Sequence, residues 1–348
     1  MAKKIAEKKL IIRITLVLVA ILLVTAGLKI YEEVFAPNVV INKRITYLYV
    51  YSKLPFEQTF ERIEKQDVLK HPESFKRILT LTGYDNMLKP GRYKLTDQMN
   101  NLELLRMLVS GRQESFDVVL KSAERIHDIT SFWGNQLEAD SNQLEAMLTS
   151  KMPMDSLGLD ADNAILLFIP NTYNFYWNTS AEKLLSKMIK EHRLFWDSTK
   201  LQKTTALGLT KQQVGTLASI VQKETNKTDE MPLVAGVYYN RLMRGMLLQA
   251  DPTILFAIND KSIRRVGGEM LKIESPFNTY VNKGLPPGPI CMPSVQAINA
   301  VLNMTHHKYI YFCAKEDFSG YHNFAATFEQ HQVNARKYQR ALNAKGIK

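Results

Sequence analysis

Two cysteines, Cys291 and Cys313, are all the thiol chemistry this 348-residue chain has. That number excludes a disulfide scaffold, and neither residue sits in a Cys/His spacing that would hold a metal. No glycine-rich loop of the phosphate-cradling kind is found either, so neither metal nor nucleotide cofactor is expected. Internal repeats are lacking, and there is no low-complexity segment beyond a charged N-terminus. Basic runs that would track a nucleic-acid backbone are missing too, although the net charge is +11. Lys3, Lys4, Lys8, Lys9, Arg13 and Lys29 against Glu7 place +5 of that surplus in the first 30 residues. The remaining +6 is spread thinly, which suits a diffuse polyanionic surface better than a nucleic acid.

What is present is an ordinary core-forming composition, 45% hydrophobic and 23% charged, in a chain long enough for about two domains. Ahead of it lies an almost wholly apolar stretch, Leu10 to Ile30, uncharged from Ile14 to Leu28. As a helix, about 21 residues rise roughly 30 Å, the thickness of a bilayer core. Arg13 and Lys29 fall near its ends, where cationic side chains snorkel to headgroups. Lysines before the span, with Glu32 and Glu33 after it, predict a cytoplasmic N-terminus (1–9), a transmembrane helix (10–30) and an extracytoplasmic remainder. The alternative is a cleaved signal peptide. Thr25-Ala26-Gly27 offers small residues, but the apolar core is long for that role and has no clear A-x-A site. A single-pass protein of the cytoplasmic membrane is expected, which removes nucleic acid as a physiological partner.

Beyond the span the pattern is α+β. Residues 31–45 read as a connector, and Ile45–Tyr51 alternates like a strand. Helical spacing follows at Phe56–Ile63 and Pro72–Leu81. Leu88–Leu95 then reads as a turn feeding a strand, and Leu102, Leu104, Leu105 and Leu108 mark a helix over Asn100–Ser110. A small α/β module thus occupies about 31–112 with its connector. The larger unit, 113–348, opens on the strand-like Phe116–Leu120. In it, Thr210 with Gln213 forms a capping box before a helix Lys211–Thr225. Pro232 suits the first turn of a helix over Leu233–Met243, Asp251-Pro252 reads as an N-cap and N1 pair, and Ser294 can cap Val295–Asn303. Ala326–Asn343 is a long polar helix. Cys313 lies in the apolar run Tyr309–Ala314 and is expected to be buried; a bridge to Cys291 stays open.

The helix Lys211–Thr225 carries the most informative residue. Val214, Leu217, Ile220 and Val221 define its apolar stripe, and Glu224 falls inside that stripe while Lys223 points away. A carboxyl among apolar groups ionises reluctantly, which is the condition for a general acid near neutral pH. The bland alternative is a last-turn glutamate that swings out to water. On the next helix Arg241 falls on the apolar face of Leu233, Val234, Val237 and Tyr238, where it needs an anion or several acceptors. A structural ion pair is the plain reading. Neighbouring Asn240 could bind a sugar hydroxyl or acetamido group, or cap a backbone. Loops rich in Pro and Gly follow at 249–253, 275–280 and 284–290, stiff enough to wall a cleft.

Ala218-Ser219-Ile220-Val221-Gln222-Lys223-Glu224-Thr225 resembles the signature of the YceG-like endolytic murein transglycosylases (the MltG family). Asn240-Arg241-Leu242, Leu248-Gln249-Ala250-Asp251-Pro252-Thr253, Asn278-Thr279-Tyr280, Gly284-Leu285-Pro286-Pro287-Gly288-Pro289-Ile290 and His322-x-Phe324 follow in that family's order. The resemblance spans essentially the whole chain, with Leu88–Leu95 and Asn100–Leu108 similar to a LysM-like module. It implies cleavage of the β-1,4 bond between N-acetylmuramic acid and N-acetylglucosamine within peptidoglycan strands. The muramyl 6-hydroxyl attacks in place of water and leaves a 1,6-anhydro end, with Glu224 as single acid and base. It further implies substrate contacts from Asn240, Arg241, Gln249, Asp251, Thr253, Asn278, Thr279 and Tyr280, and a partnership with cell-wall synthases. Where the family usually reads E-K-E-T, the first position here is Gln222, which leaves Glu224 as the only acid of the motif. Asn171 stands where Asp is common, which weakens a supporting role for its loop. A hydrolytic muramidase and a non-cutting wall-binding scaffold are the alternatives.

Overall fold

The computed structural model describes residues 1–41, 46–150, 157–260, 262–263 and 265–346, apart from the side chains of 2–5. Ile45, first residue of the expected strand, lies outside the described residues. The chain divides into two compact units, Met1–Phe116 with Asn174–Thr179, and Asp117–Tyr173 with Ser180–Lys348. The architecture is mixed α+β with an apolar N-terminal helix.

The first unit starts with α1 (Ala2–Phe35), whose segment Ala6–Phe35 is long and apolar enough to cross a membrane and buries none of its most apolar stretch in the protein. The expected connector is partly helix. α1 runs on to Phe35, the Glu33 carbonyl accepts from Asn101 Nδ2 at 2.8 Å, and Val34 packs on the core. After it, β1 (Thr46–Val50) pairs antiparallel with β2 (Gly91–Leu95), Leu48 opposite Tyr93. Alternation puts Leu48 and Val50 on the buried face, as period-two patterning requires. Between the strands lie α2 (Phe56–Glu64) and α3 (Pro72–Thr82), which stops at Gly83 in the left-handed conformation (φ 70°). α4 (Asn101–Ser110) begins with a complete capping box from Asn100 and Glu103. Leu104, Leu105 and Leu108 reach the shared core with Phe60, Ile63, Phe75 and Leu79.

β3 (Phe116–Leu120) and β4 (Asn171–Phe175) each carry residues of both units. The second unit holds α5 (Ile126–Gln136), α6 (Ser141–Thr149), α7 (Ala181–Phe195) and α8 (Ser198–Ala206) ahead of its central helix, α9 (Lys211–Glu224). The Thr210–Gln213 capping box starts α9 as the sequence predicts. Every residue from Val214 to Val221 is buried, so α9 is enclosed on all sides through its middle. Gly215 permits this, since a Cβ there would meet Leu166 Cδ2 at 2.7 Å. Around α9 pack α10 (Met231–Met243), α11 (Asp251–Ile258) and α12 (Val295–Leu302). The hairpin β5 (Tyr311–Ala314) and β6 (His322–Ala325) follows, with Ala314 opposite His322, and then α13 (Phe328–Ala344).

Two local expectations change. The N-cap of α11 is Ala250, with Asp251 already its first helical residue, so the Asp251 carboxylate does not cap the helix. Tyr280 holds it instead. The cysteines are both free, and Cys291 is the buried one, its thiol pushed up to about 12 by burial, while Cys313 is half-buried in β5.

Candidate active site

Glu224 is the last residue of α9, where the helix emerges from the core. It is half-buried; neighbouring Lys223 is exposed on the opposite side and pairs with Glu124. Loss of hydration raises the Glu224 pKa above the usual carboxylate range, and the nearby charge of Asp251 adds to this. Two groups oppose the shift: the Tyr238 hydroxyl, which donates to Glu224 Oε2 at 2.9 Å, and the charge of His322. Tyr238 lies on α10 and is 1% exposed, with its own phenol pushed well above its ordinary range by burial and by Glu224. With Oε2 accepting from Tyr238, Oε1 is the oxygen on which the neutral carboxyl would hold its proton.

Arg241, one turn beyond Tyr238, is buried without an ion pair. Among the described residues no carboxylate lies within salt-bridge distance of it. Its guanidinium donates to the Leu248 carbonyl at 2.8 Å and to Gln249 Oε1 at 2.6 Å, and faces the Tyr311 ring at 5.6 Å. Gln249 is exposed and adopts φ 53°, a strained conformation for a residue with a side chain. Its backbone N–H is tied to the Thr279 carbonyl at 3.0 Å. Arg241 thereby fixes which end of the Gln249 amide faces outward, the NH2 donor.

Thr253, Asn278 and Thr279 are all buried, and their polar atoms serve the loops. Thr253 Oγ1 donates to the Ala250 carbonyl and meets Thr279 Oγ1 at 2.9 Å, which in turn accepts from Ala250 N. Asn278 Nδ2 donates to the Leu271 and Ile273 carbonyls, and its Oδ1 accepts from Tyr280 N. Asn240 Nδ2 donates to the carbonyls of His307 (2.8 Å) and Tyr309 (3.0 Å). The first three brace the backbone that carries Gln249, Asp251 and Tyr280, and Asn240 ties α10 to the irregular segment leading into β5. Asp251 is exposed and accepts from the Tyr280 hydroxyl, whose ionisation burial and Asp251 together suppress.

Gln222 uses both ends of its amide. Oε1 accepts from Ser294 N at 2.5 Å and Nε2 donates to Ser122 Oγ at 3.0 Å, so it locks the start of α12 to the end of α9. A pocket of about 260 Å³ is lined by Lys223 and its ion-pair partner Glu124 with Pro252, Leu255, Phe256 and Ile290, and neither Glu224 nor Asp251 is among its lining residues.

Sequence reasoning did not single out Tyr238 or Glu230 as site residues, and met His322 only within a motif. Tyr238 looks like one more apolar-face residue of α10, and only its hydroxyl, which needs a partner when buried, hints at more. Among the described residues, no group of three or more His, Cys, Asp or Glu side chains could hold a metal ion.

An α+β unit whose central helix ends on a carboxyl pushed toward its protonated form has the makings of an acid–base enzyme. A model of the YceG-like family matches residues 48–337, and the chain belongs to that family. It is 27% identical over 300 residues to an endolytic murein transglycosylase of Bacillus subtilis, covering 81% of this chain and 82% of the relative. It is 30% identical over 311 residues to the endolytic murein transglycosylase of Streptococcus pneumoniae, covering 79% of this chain but 55% of that protein, about half its length. A solved yceG-like protein of Listeria monocytogenes shares the fold, with a TM-score of 0.56 and 23% identity over 84% of this chain and 99% of the other.

Proposed function

We propose that this chain is a membrane-anchored endolytic transglycosylase of peptidoglycan, with Glu224 as its single general acid and base. The observation that carries this reading is a carboxyl held toward its neutral form by burial, with one oxygen pinned by Tyr238. The names of the relatives supply the substrate class. Protonated Glu224 gives its proton to the oxygen linking muramic acid to N-acetylglucosamine as the C1–O bond breaks. The resulting carboxylate takes the proton of the muramyl 6-hydroxyl as that oxygen bonds to C1. No water is consumed, a 1,6-anhydro end is left, and Glu224 returns to its starting state.

Gln249, Asp251 and Tyr280 meet the glycan, the first as a fixed amide donor suited to an N-acetyl carbonyl. Arg241, Asn240, Thr253, Asn278 and Thr279 hold the surrounding walls in place. α1 anchors the chain in the cytoplasmic membrane with residues 1–9 inside. Residues 31–112 comprise a connector and a LysM-like module and 113–348 the catalytic domain, with cell-wall synthases as candidate partners.

One observation favours a second reading. The charge of Asp251 reaches Glu224, and a second carboxylate is what a water-using muramidase needs. Mass spectrometry of fragments released from purified peptidoglycan separates the two. Anhydro ends are expected, reducing ends would establish the hydrolase, and binding without release would leave a scaffold.

A further inference from the structure

We propose that Glu230 and His322 form a positioning pair that fixes an imidazole beside Glu224 for the acid–base step, an inference that rests on the Glu224 reading above. Glu230, immediately before α10, is 2% exposed. A carboxylate so enclosed is costly unless donors surround it. Three converge on it: His322 N on Oε1 at 2.7 Å, and His322 Nδ1 (2.8 Å) and Thr225 Oγ1 (3.1 Å) on Oε2. The Thr225 hydroxyl accepts from Lys227 N, which commits its own hydrogen to Glu230.

The pair reaches Glu224 by two routes. Along the chain, Thr225 is the next residue. Through space, the Phe312 ring meets His322 edge-on at 5.2 Å and Tyr238 edge-on at 5.7 Å, and Tyr238 holds the Glu224 carboxyl. The imidazole is therefore fixed from both sides, with Nδ1 committed to Glu230 and, among the described residues, no hydrogen-bond partner on Nε2. When protonated, the ring opposes the effect of burial on Glu224.

A need to satisfy Glu230 alone does not call for a ring. An asparagine amide could donate from the Nδ1 position just as well. The ring gains a purpose from the cycle at Glu224, in which the carboxyl must pass through its anionic form in a water-poor setting. A positive or polarisable group fixed nearby stabilises that anion without reorganising. His322 neither gives nor takes a proton of the substrate in this scheme.

The test uses the full-length chain in detergent on purified peptidoglycan, with anhydro-ended fragments counted over time. His322→Asn keeps a donor toward Glu230 and removes the ring beyond it. It is expected to lower kcat about 100-fold or more with KM within about twofold and Tm within about 2 °C of the parent. Glu230→Gln, of the same shape, is expected to lower kcat in the same way. Parent-like kcat in either folded variant overturns the pair. So does a kcat loss that in both variants comes only with a lowered Tm, because the pair is then a structural tie. Glu224→Gln run alongside separates the two ideas. Retained cutting there sinks the Glu224 reading itself, whereas a dead Glu224→Gln beside a parent-like His322→Asn sinks the pair alone.

Discussion

At the scale of single residues the site is a contest over one proton. Burial favours neutral Glu224, while Tyr238 and His322 favour its anion. Removing the Tyr238 hydroxyl removes one anion-stabilising hydrogen bond, so Tyr238→Phe should raise the Glu224 pKa further. The falling alkaline limb of the kcat–pH profile should then move up by about one pH unit; an unmoved limb would detach Tyr238 from the acid. The same shift has a stability consequence. With the folded pKa above the unfolded one, the folded state binds the extra proton, so Glu224 favours folding below its unfolded pKa and loses that contribution as pH rises through the folded value. Glu224→Gln removes the ionisation, and its Tm relative to the parent's should be higher at pH 8 than at pH 4. Equal differences at both pH values would mean that the carboxyl is as well hydrated as in the unfolded chain.

At the scale of elements, the walls of the site are held by close backbone approach. Gly288, in the Pro-rich loop 284–290, sits so near the Asp162 carbonyl that a Cβ would overlap it. Gly288→Ala should cost about 1–3 kcal/mol in a denaturant titration and lower activity with it. A neutral result would mean that the two loops separate freely. Much of this level was legible in the sequence. The capping box and the position of Glu224 at the end of the helix follow from helical geometry and recur in α9. The expected one-sided stripe becomes instead a middle buried all round, because small residues such as Gly215, Ala218 and Ser219 let neighbours close over the other face. Asp251 departs from expectation because a residue before proline looks like an N-cap, whereas its carboxylate finds Tyr280, 29 positions away. Arg241 called for a partner that sequence could not choose, and it took a carbonyl and an amide rather than an acid. Glu230 and His322 lie 92 positions apart, a separation that no local period can reveal.

At the scale of the whole molecule, the apolar helix and the first unit are continuous. α1 does not end at the apolar stretch, since its last turn and the residues just after it belong to the core of the first unit. Asn38 Nδ2 bonds Asn101 Oδ1 at 2.7 Å, its Oδ1 accepts from His71 N at 2.7 Å, and Val39 is fully buried. A chain starting at residue 31 should therefore melt higher than one starting at residue 42. The difference should be several degrees, because the shorter chain leaves a cavity where Val39 sits and unpaired amides where Asn38 bonds. Equal melting points would mean that this segment is ornamental to the fold. The central claim is that one carboxyl does the chemistry. Its most direct test compares the full-length parent with Glu224→Gln, whose side chain is nearly isosteric, by the rate at which each releases fragments from purified peptidoglycan. The parent should yield fragments with 1,6-anhydro-muramyl ends and the variant should yield none above background, while cutting by the variant at the parent's rate would contradict the account.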